Sequence, residues 1–362
     1  SMDELAIVRE RLRRQRLMGG DAFAAPADAV RWLGAVQGQE WAEAKWSLAM
    51  RTRDCDDAGV EAALARGEIV RTHVLRPTWH LVAAEDLRWL TRLTAPRVNA
   101  RNARRYAELG LDGTTLARGH DVLAGALADG PPLTRRELGT ALEAAGIGVD
   151  GQRLAHLVMH AELSLVICSG PRRGKQHTYV LADRAVPAAA AGELEGDAAL
   201  AELARRYFRS HGPATVRDLA WWASLSVGDA RTAIALAAPE VAPAEAVGGE
   251  WFDAAGGGGG AGVSSGPLLI PTYDETLVAY RDLRVLIAGG ATLDIAFKRP
   301  IVVDGETVGT WERTLRPREV VVATTLLARP GAKLRRDLEA AAARFGRFVG
   351  LPARLEVAVA KG

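Results

Sequence analysis

Two spacings of apolar residues alternate along this chain, and the switch between them recurs. Leu5, Val8 and Leu12 line one side of residues 3–17 at helical spacing, against an arginine-rich opposite side. Pro26 opens a second helical stretch reaching about Val36, because a proline in the first turn lacks only an N–H that has no intrahelical partner there. Residues 40–51 and 57–66 keep the helical period until Gly67. The period then drops to two: residues 69–74 and 78–82 flank Arg76-Pro77, which predicts a hairpin. Helices followed by a hairpin have the sequence shape of a winged helix-turn-helix.

The same order returns twice. Residues 134–145 and 150–162 read as helices, and strands at 164–168 and 177–181 flank the tip Gly170-Pro171-Arg172-Arg173-Gly174-Lys175. Thr215 and Ser226 sit as caps before helices at 215–225 and 226–238, with a weaker hairpin at 245–252. Irregular spacing between repeats indicates tandem domains rather than a solenoid. Between the first two units, residues 83–129 are helical and carry Arg88, Arg92, Arg97, Arg101, Arg104 and Arg105, largely on one face. That row reads as a solvated face before it reads as a phosphate-tracking ridge. The glycine run at 256–260 reads as a linker; it lacks the following Lys-Ser/Thr of a phosphate loop. Beyond it come a hairpin at 301–311 turning at Asp304-Gly305, a strand at 320–326, a helix at 334–348 and a strand at 355–359.

The expected fold class is therefore α+β. Three winged helix-turn-helix units (3–82, 130–186 and 197–255) and a helical connector (83–129) precede a hairpin-rich α+β region (266–360). Together they are expected to form a concave groove.

Length and charge narrow the function. A chain of 362 residues suits two or three domains. Lys+Arg of 46 against Asp+Glu of 44 excludes a uniformly basic coat but allows a basic cleft, since the field at a cleft is local. Cys55 and Cys168 stand in no ligand spacing, which argues against a disulfide framework or zinc site. No stretch reads as a signal-peptide core or membrane span, so a cytoplasmic location is expected.

The candidate chemistry lies in Gln37-Gly38-Gln39, just after the apolar run 30–36. In an extended segment, residues two apart point the same way, so two uncharged carboxamides could converge on one small target. Such a pair suits gripping a water beside a developing positive charge; it is also ordinary turn composition.

Several segments in order resemble the AlkZ-type bacterial DNA glycosylases. They are the tandem winged units, Gln37-Gly38-Gln39, Arg76-Pro77-Thr78-Trp79-His80-Leu81-Val82, Tyr273-Asp274-Glu275 with Tyr280-Arg281-Asp282, and Gly309-Thr310-Trp311-Glu312-Arg313. The family signature is Gln, a small or apolar residue, then Gln. A sister branch carries Asp where this chain has Gln39, and the Gln branch is linked to bulky, self-resistance substrates. The resemblance implies excision of alkylated purines, chiefly N7-alkylguanine, from double-stranded DNA by a monomer with no metal and no cofactor.

Under that reading Gln37 and Gln39 position water and stabilise the sugar cation. Glu40 reads first as a helix-opening acid and second as a base. Trp41 and His80 are candidates to line the site, whereas Trp79 is expected to pack in a core. Arg281 and Asp282 form a candidate structural ion pair. Lys45, on the helix beyond the motif, is not expected to act as a nucleophile, so no lyase activity is expected. DNA contacts are expected from Arg172, Arg173 and Lys175 at a wing tip, and from Lys298, Arg299 and Arg313. The turn Asp304-Gly305-Glu306 is expected to probe a groove or the lesion. The competing reading is a winged-helix regulator without catalysis, although the chain has no heptads for the dimer such a protein usually needs.

Overall fold

A computed structural model describes residues 1–187, 194–256, 266–282, 284, 286–287 and 298–360. Most of the glycine-rich stretch expected to be a linker lies outside these residues. After α1 (Glu4–Arg14), one plan is repeated three times: helix, short strand, two helices, hairpin. The first copy is α2 (Pro26–Leu33), β1 (Val36–Gln37), α3 (Trp41–Met50), α4 (Asp57–Ala65), β2 (Ile69–His73) and β3 (Trp79–Ala83). The long helix α5 (Leu87–Glu108) then leads into the second copy: α6 (Gly113–Leu127), β4 (Leu133–Thr134), α7 (Arg135–Ala144), α8 (Arg153–Leu163), β5 (Ile167–Arg173) and β6 (Gln176–Leu181). After α9 (Ala182–Ala185) the third is α10 (Gly196–His211), β7 (Ala214–Thr215), α11 (Val216–Ala223), α12 (Val227–Leu236), β8 (Val241–Ala244) and β9 (Trp251–Ala254). In all three sheets the short strand pairs with the last strand of the hairpin.

The sequence reading placed 83–129 outside the second unit. Instead α6 sends Leu116, Leu123 and Leu127 into one core with Leu138, Leu142 and Leu157. The arginine row of α5 is solvated in part, with Arg92 and Arg104 exposed, while other members are engaged by the fold. Arg88 donates to Val186 O and Asp183, Arg97 pairs with Asp229, and Arg101 donates to Ser224 Oγ. The third hairpin lies off its expected position at 245–252, and its first strand contains Pro243. β8 is the edge strand of its sheet, where a missing N–H costs no ladder bond.

Helix α1 belongs to the first unit by sequence order but not by packing. Val8 and Leu12 enter the C-terminal core beside Ile301 and Val302. Two arginines of its arginine-rich side are buried against the third unit: Arg11 on Asp218 at 3.2 Å and Arg14 on Asp253 at 2.8 Å.

The C-terminal region opens with β10 (Leu268–Leu269), α13 (Glu275–Val278) and β11 (Leu286–Ile287). It continues through β12 (Pro300–Val303), β13 (Glu306–Leu315), β14 (Val320–Leu326), α14 (Ala332–Val349) and β15 (Ala353–Val359). The sheet runs β10-β12-β13-β14-β15, with β11 paired parallel to β13. Its core reaches into the first unit through α3. Ala44 and Leu48 pack inside the first unit, whereas Trp46 meets Phe345 at 5.0 Å, ring centre to ring centre, in the C-terminal core. A helix buried on every side is the expected result of an apolar sequence lacking one polar face. The Arg51–Asp274 pair, fully buried at 2.8 Å, closes this joint.

The turn expected to probe DNA is committed elsewhere. Arg9 Nε donates to Asp304 O at 2.8 Å, and a Cβ on Gly305 would lie 3.0 Å from Leu5 Cδ1. The β12–β13 turn therefore docks on α1.

Candidate active site

The two glutamines sit where the short strand of the first unit hands over to its second helix. Val36 pairs with Leu81 and Gln37 with His80. Residues directly opposed in an antiparallel pair share a face. Val36 and Leu81 thus enter the core of the first unit, and Gln37 and His80 share the other face. Pairing continues one residue further, with Gly38 N–H donating to Trp79 O at 2.8 Å, and the chain bends at Gln39 and Glu40 into α3. Gly38 lies so close that an added Cβ would sit 3.3 Å from the Leu81 side chain.

In the second and third units the handover is immediate, and Thr134 with Glu137 and Thr215 with Asp218 form capping boxes. In the first unit three residues, Gly38 to Glu40, separate strand from helix, and the N-cap Glu40 makes no side-chain capping bond. The active-site candidate is thus a local departure from a repeated plan. Gln37 is half-buried and Gln39 exposed. Neither carboxamide makes a hydrogen bond among the described residues, while the backbone between them is held on both sides.

That hold comes from residues the sequence reading gave no role. Glu275, fully buried, accepts from Gln37 N–H at 3.2 Å through Oε1; Oε2 lies 3.1 Å from Trp222 Nε1 and 3.3 Å from His211 Nε2. Arg71 Nε–H donates to Gly38 O at 2.9 Å. Tyr273-Asp274-Glu275 was legible only as part of a resemblance, since its task is to join segments more than 220 residues apart. Of the other quoted pair, Arg281 and Asp282 are exposed, and both backbone N–H groups donate to Asp218 Oδ1. They form no ion pair with each other among the described residues.

His80 and Trp79 exchange their expected places. His80 is fully buried, with Nδ1 on Thr78 O at 3.1 Å and Nε2 facing Arg76 Nη2 at 3.3 Å. Burial, reinforced by Arg76, pushes its pKa well below the usual 6.5. His80 is therefore a neutral ring beneath Gln37 and supplies no acid. Trp79, expected in a core, is half-buried under the Arg71 guanidinium, 4.2 Å from the ring centre. Trp41 belongs to the first unit's core, with its indole N–H on Glu61 at 2.9 Å and its ring edge-on to His177 at 5.4 Å. Glu40 is exposed.

The expected DNA contacts divide. Arg172 pairs with Glu61 at 2.5 Å and ties the second wing to the first unit. Arg299 pairs with buried Glu43 at 3.0 Å, and Arg313 also contacts Glu43. Burial alone would raise the Glu43 carboxyl, but the hydrogen bonds and charges of these two arginines hold it below its usual value. These three guanidiniums are occupied by carboxylates. Arg173 pairs with Glu137 at 2.7 Å while remaining half exposed. Lys175 and Lys298 are exposed and make no ion pair among the described residues.

Comparison with known proteins bears on the same site. The sequence model of the DNA glycosylase AlkZ-like family matches residues 30–348, which include the glutamine pair, most of the first winged unit, the second and third, and most of the C-terminal sheet. An interstrand DNA cross-link repair glycosylase of Streptomyces sahachiroi is 28% identical over 209 residues. That match spans 55% of this chain and 55% of the relative, so it covers about half the relative's length. The structure of the Streptomyces sahachiroi DNA glycosylase AlkZ superposes with a TM-score of 0.78 at 23% identity, over 99% of this chain and 98% of that one. The chain belongs to the AlkZ-like DNA glycosylase family.

Proposed function

We propose that the chain is a monofunctional DNA glycosylase that hydrolyses the N-glycosidic bond of alkylated purines, chiefly N7-alkylguanine and its bulky adducts, in duplex DNA. Alkylation at N7 leaves a positive charge on the base. As the bond from C1′ to N9 breaks, its electron pair leaves with the base and neutralises that charge. No proton need be delivered to the leaving group, which is consistent with a buried, neutral His80 under the site. What remains is a cationic sugar and a water that must reach C1′. The carbonyl dipoles of Gln37 and Gln39 stabilise the cation and orient the water, whose oxygen bonds to C1′ as its proton passes to solvent. Preorganised dipoles of this kind contribute roughly 3 kcal/mol each. Because uncharged groups are poor bases, the rate comes from placement.

The observation that carries this reading is the contrast within the tripeptide: two carboxamides without a hydrogen-bond partner among the described residues, on a backbone fixed by Trp79, Glu275 and Arg71. Lys45 favours the absence of lyase chemistry, since its ammonium is engaged by two carboxylates, 2.6 Å from Asp57 and 2.9 Å from Glu61. The similar Streptomyces protein is named for interstrand cross-link repair, which favours bulky lesions here too.

The test is incubation with an N7-methylguanine duplex, followed by alkali to cut abasic sites. Cleavage is expected with the wild type and should fall by about a hundredfold in Gln37→Ala and Gln39→Ala. A panel of bulky N7 adducts then ranks substrates. Breaks before alkali would refute the monofunctional assignment; undiminished cleavage by both variants would refute the roles of the glutamines.

A further inference from the structure

Five arginines are buried in the described residues: Arg11, Arg14, Arg51, Arg71 and Arg88. Four lie against carboxylates, namely Asp218, Glu10 with Asp253, Asp274, and Asp183. Arg71 does not. Only 7% exposed, it donates to Gly38 O and stacks on Trp79, and none of its contacts among the described residues is to a carboxylate. Glu162 and Glu40 act on it only through space, and burial outweighs them; a guanidinium withdrawn from water without a carboxylate in contact is costly, which leaves room for an anion brought from outside.

Arg71 opens onto a pocket of about 270 Å³ between the first and second winged units. Trp79, His177 and Tyr179 line its walls, and Arg135 and Arg136 stand at the start of α7. Neither of those two arginines forms an ion pair among the described residues, and no carboxylate side chain lines the pocket. Two of the lining side chains also hold buried polar atoms without partners, Trp79 Nε1 and His177 Nδ1. Burial, with Arg71 and Arg172 nearby, pushes His177 down to about 3, so it adds no charge near neutrality. Three guanidiniums and an unpaired indole N–H make a set of donors without an anion. The planar fork of arginine matches phosphate oxygens two at a time, and the substrate of a glycosylase carries a phosphate at every nucleotide.

We propose that this pocket is a phosphate subsite. Arg71, Arg135 and Arg136 take one backbone phosphodiester of the strand bearing the damaged base, and the bond from Arg71 Nε to Gly38 O ties the glutamine tripeptide to that phosphate. The subsite rests on the DNA glycosylase reading above. It deepens that reading by making phosphate capture and placement of the glutamines one event, with no dependence on base sequence.

The deciding measurement is affinity for an undamaged duplex by fluorescence anisotropy across a salt series, which needs no catalysis. Arg135→Gln/Arg136→Gln, partly or fully exposed positions where folding is not at stake, should bind several-fold more weakly. The slope of log affinity against log salt should fall by about one, the value of one lost phosphate contact. Arg71→Lys should keep the slope while lowering the single-turnover rate on N7-methylguanine DNA about tenfold, because lysine restores the charge without the fork that holds Gly38 O. An unchanged affinity and slope in the double variant would overturn the subsite even if the wild type is an active glycosylase. A wild type that leaves every alkylated duplex intact would refute the enzymatic reading, and the salt slope would still decide the pocket.

Discussion

Removing the carboxylate of Glu275 tests whether a fully buried group can govern a half-exposed one. Glu275→Ala strips the acceptor from Gln37 N–H, Trp222 Nε1 and His211 Nε2 at once. A hydrogen bond to a charged acceptor contributes about 1.5–3 kcal/mol. At 3.1–3.3 Å these three are long, so the lower figure applies and the sum is roughly 4.5 kcal/mol. Against a total stability of about 5–15 kcal/mol this is a large fraction without being fatal. Glu275→Gln keeps the shape and one acceptor oxygen, and His211 can accept at Nε2 by changing tautomer. One donor is then left without a partner, at about 1–2 kcal/mol.

Urea unfolding should therefore rank wild type above Gln above Ala. Single-turnover excision of N7-methylguanine, run below the unfolding transition and scaled to folded protein, should follow the same order. Losses of about tenfold for Gln and a hundredfold for Ala are expected, as a displacement near 1 Å at a reacting group can cost that much. If Glu275→Ala unfolds as calculated yet turns over at the wild-type rate per folded molecule, Glu275 holds the joint but not the glutamine. If its stability is unchanged, the three bonds carry no net energy.

Asp274→Ala leaves Arg51 buried and uncompensated and should cost about 3–5 kcal/mol in urea; Arg51→Met/Asp274→Leu should cost less than that single change. Glu43 has a folded pKa below its ordinary 4.5, so the stability it contributes is complete above that value and disappears as pH falls through the folded one. The gap in urea midpoint between wild type and Glu43→Gln should therefore close on acidification, and a constant gap would contradict the pairing with Arg299 and Arg313. His80 stays neutral on the alkaline side of its lowered pKa, so the single-turnover rate should be flat between about pH 6.5 and 8. A sigmoid centred there would return His80 to acid–base duty.

Local pattern was enough for most of the helices, though not α10 (Gly196–His211), and for the first two hairpins and the location of the glutamine motif. Those features are set by neighbours within a few residues, through apolar period, caps and turn chemistry. The sequence also displayed Gln37 and Gln39 as an uncharged pair in a suitable setting, because that chemistry is carried by side-chain type alone. It did not display which arginines are free. Arg172, Arg299 and Arg313 look like Arg135 and Arg136 in the chain, yet the first three are opposed by Glu61 and Glu43. Nor could it assign α1 to the third unit and the C-terminal core, set His80 under Gln37 with Trp79 outside, or bring Glu275 within reach of a backbone N–H 238 residues away. Burial and charge pairing are properties of what meets across the fold, and only packing the distant segments together decides them.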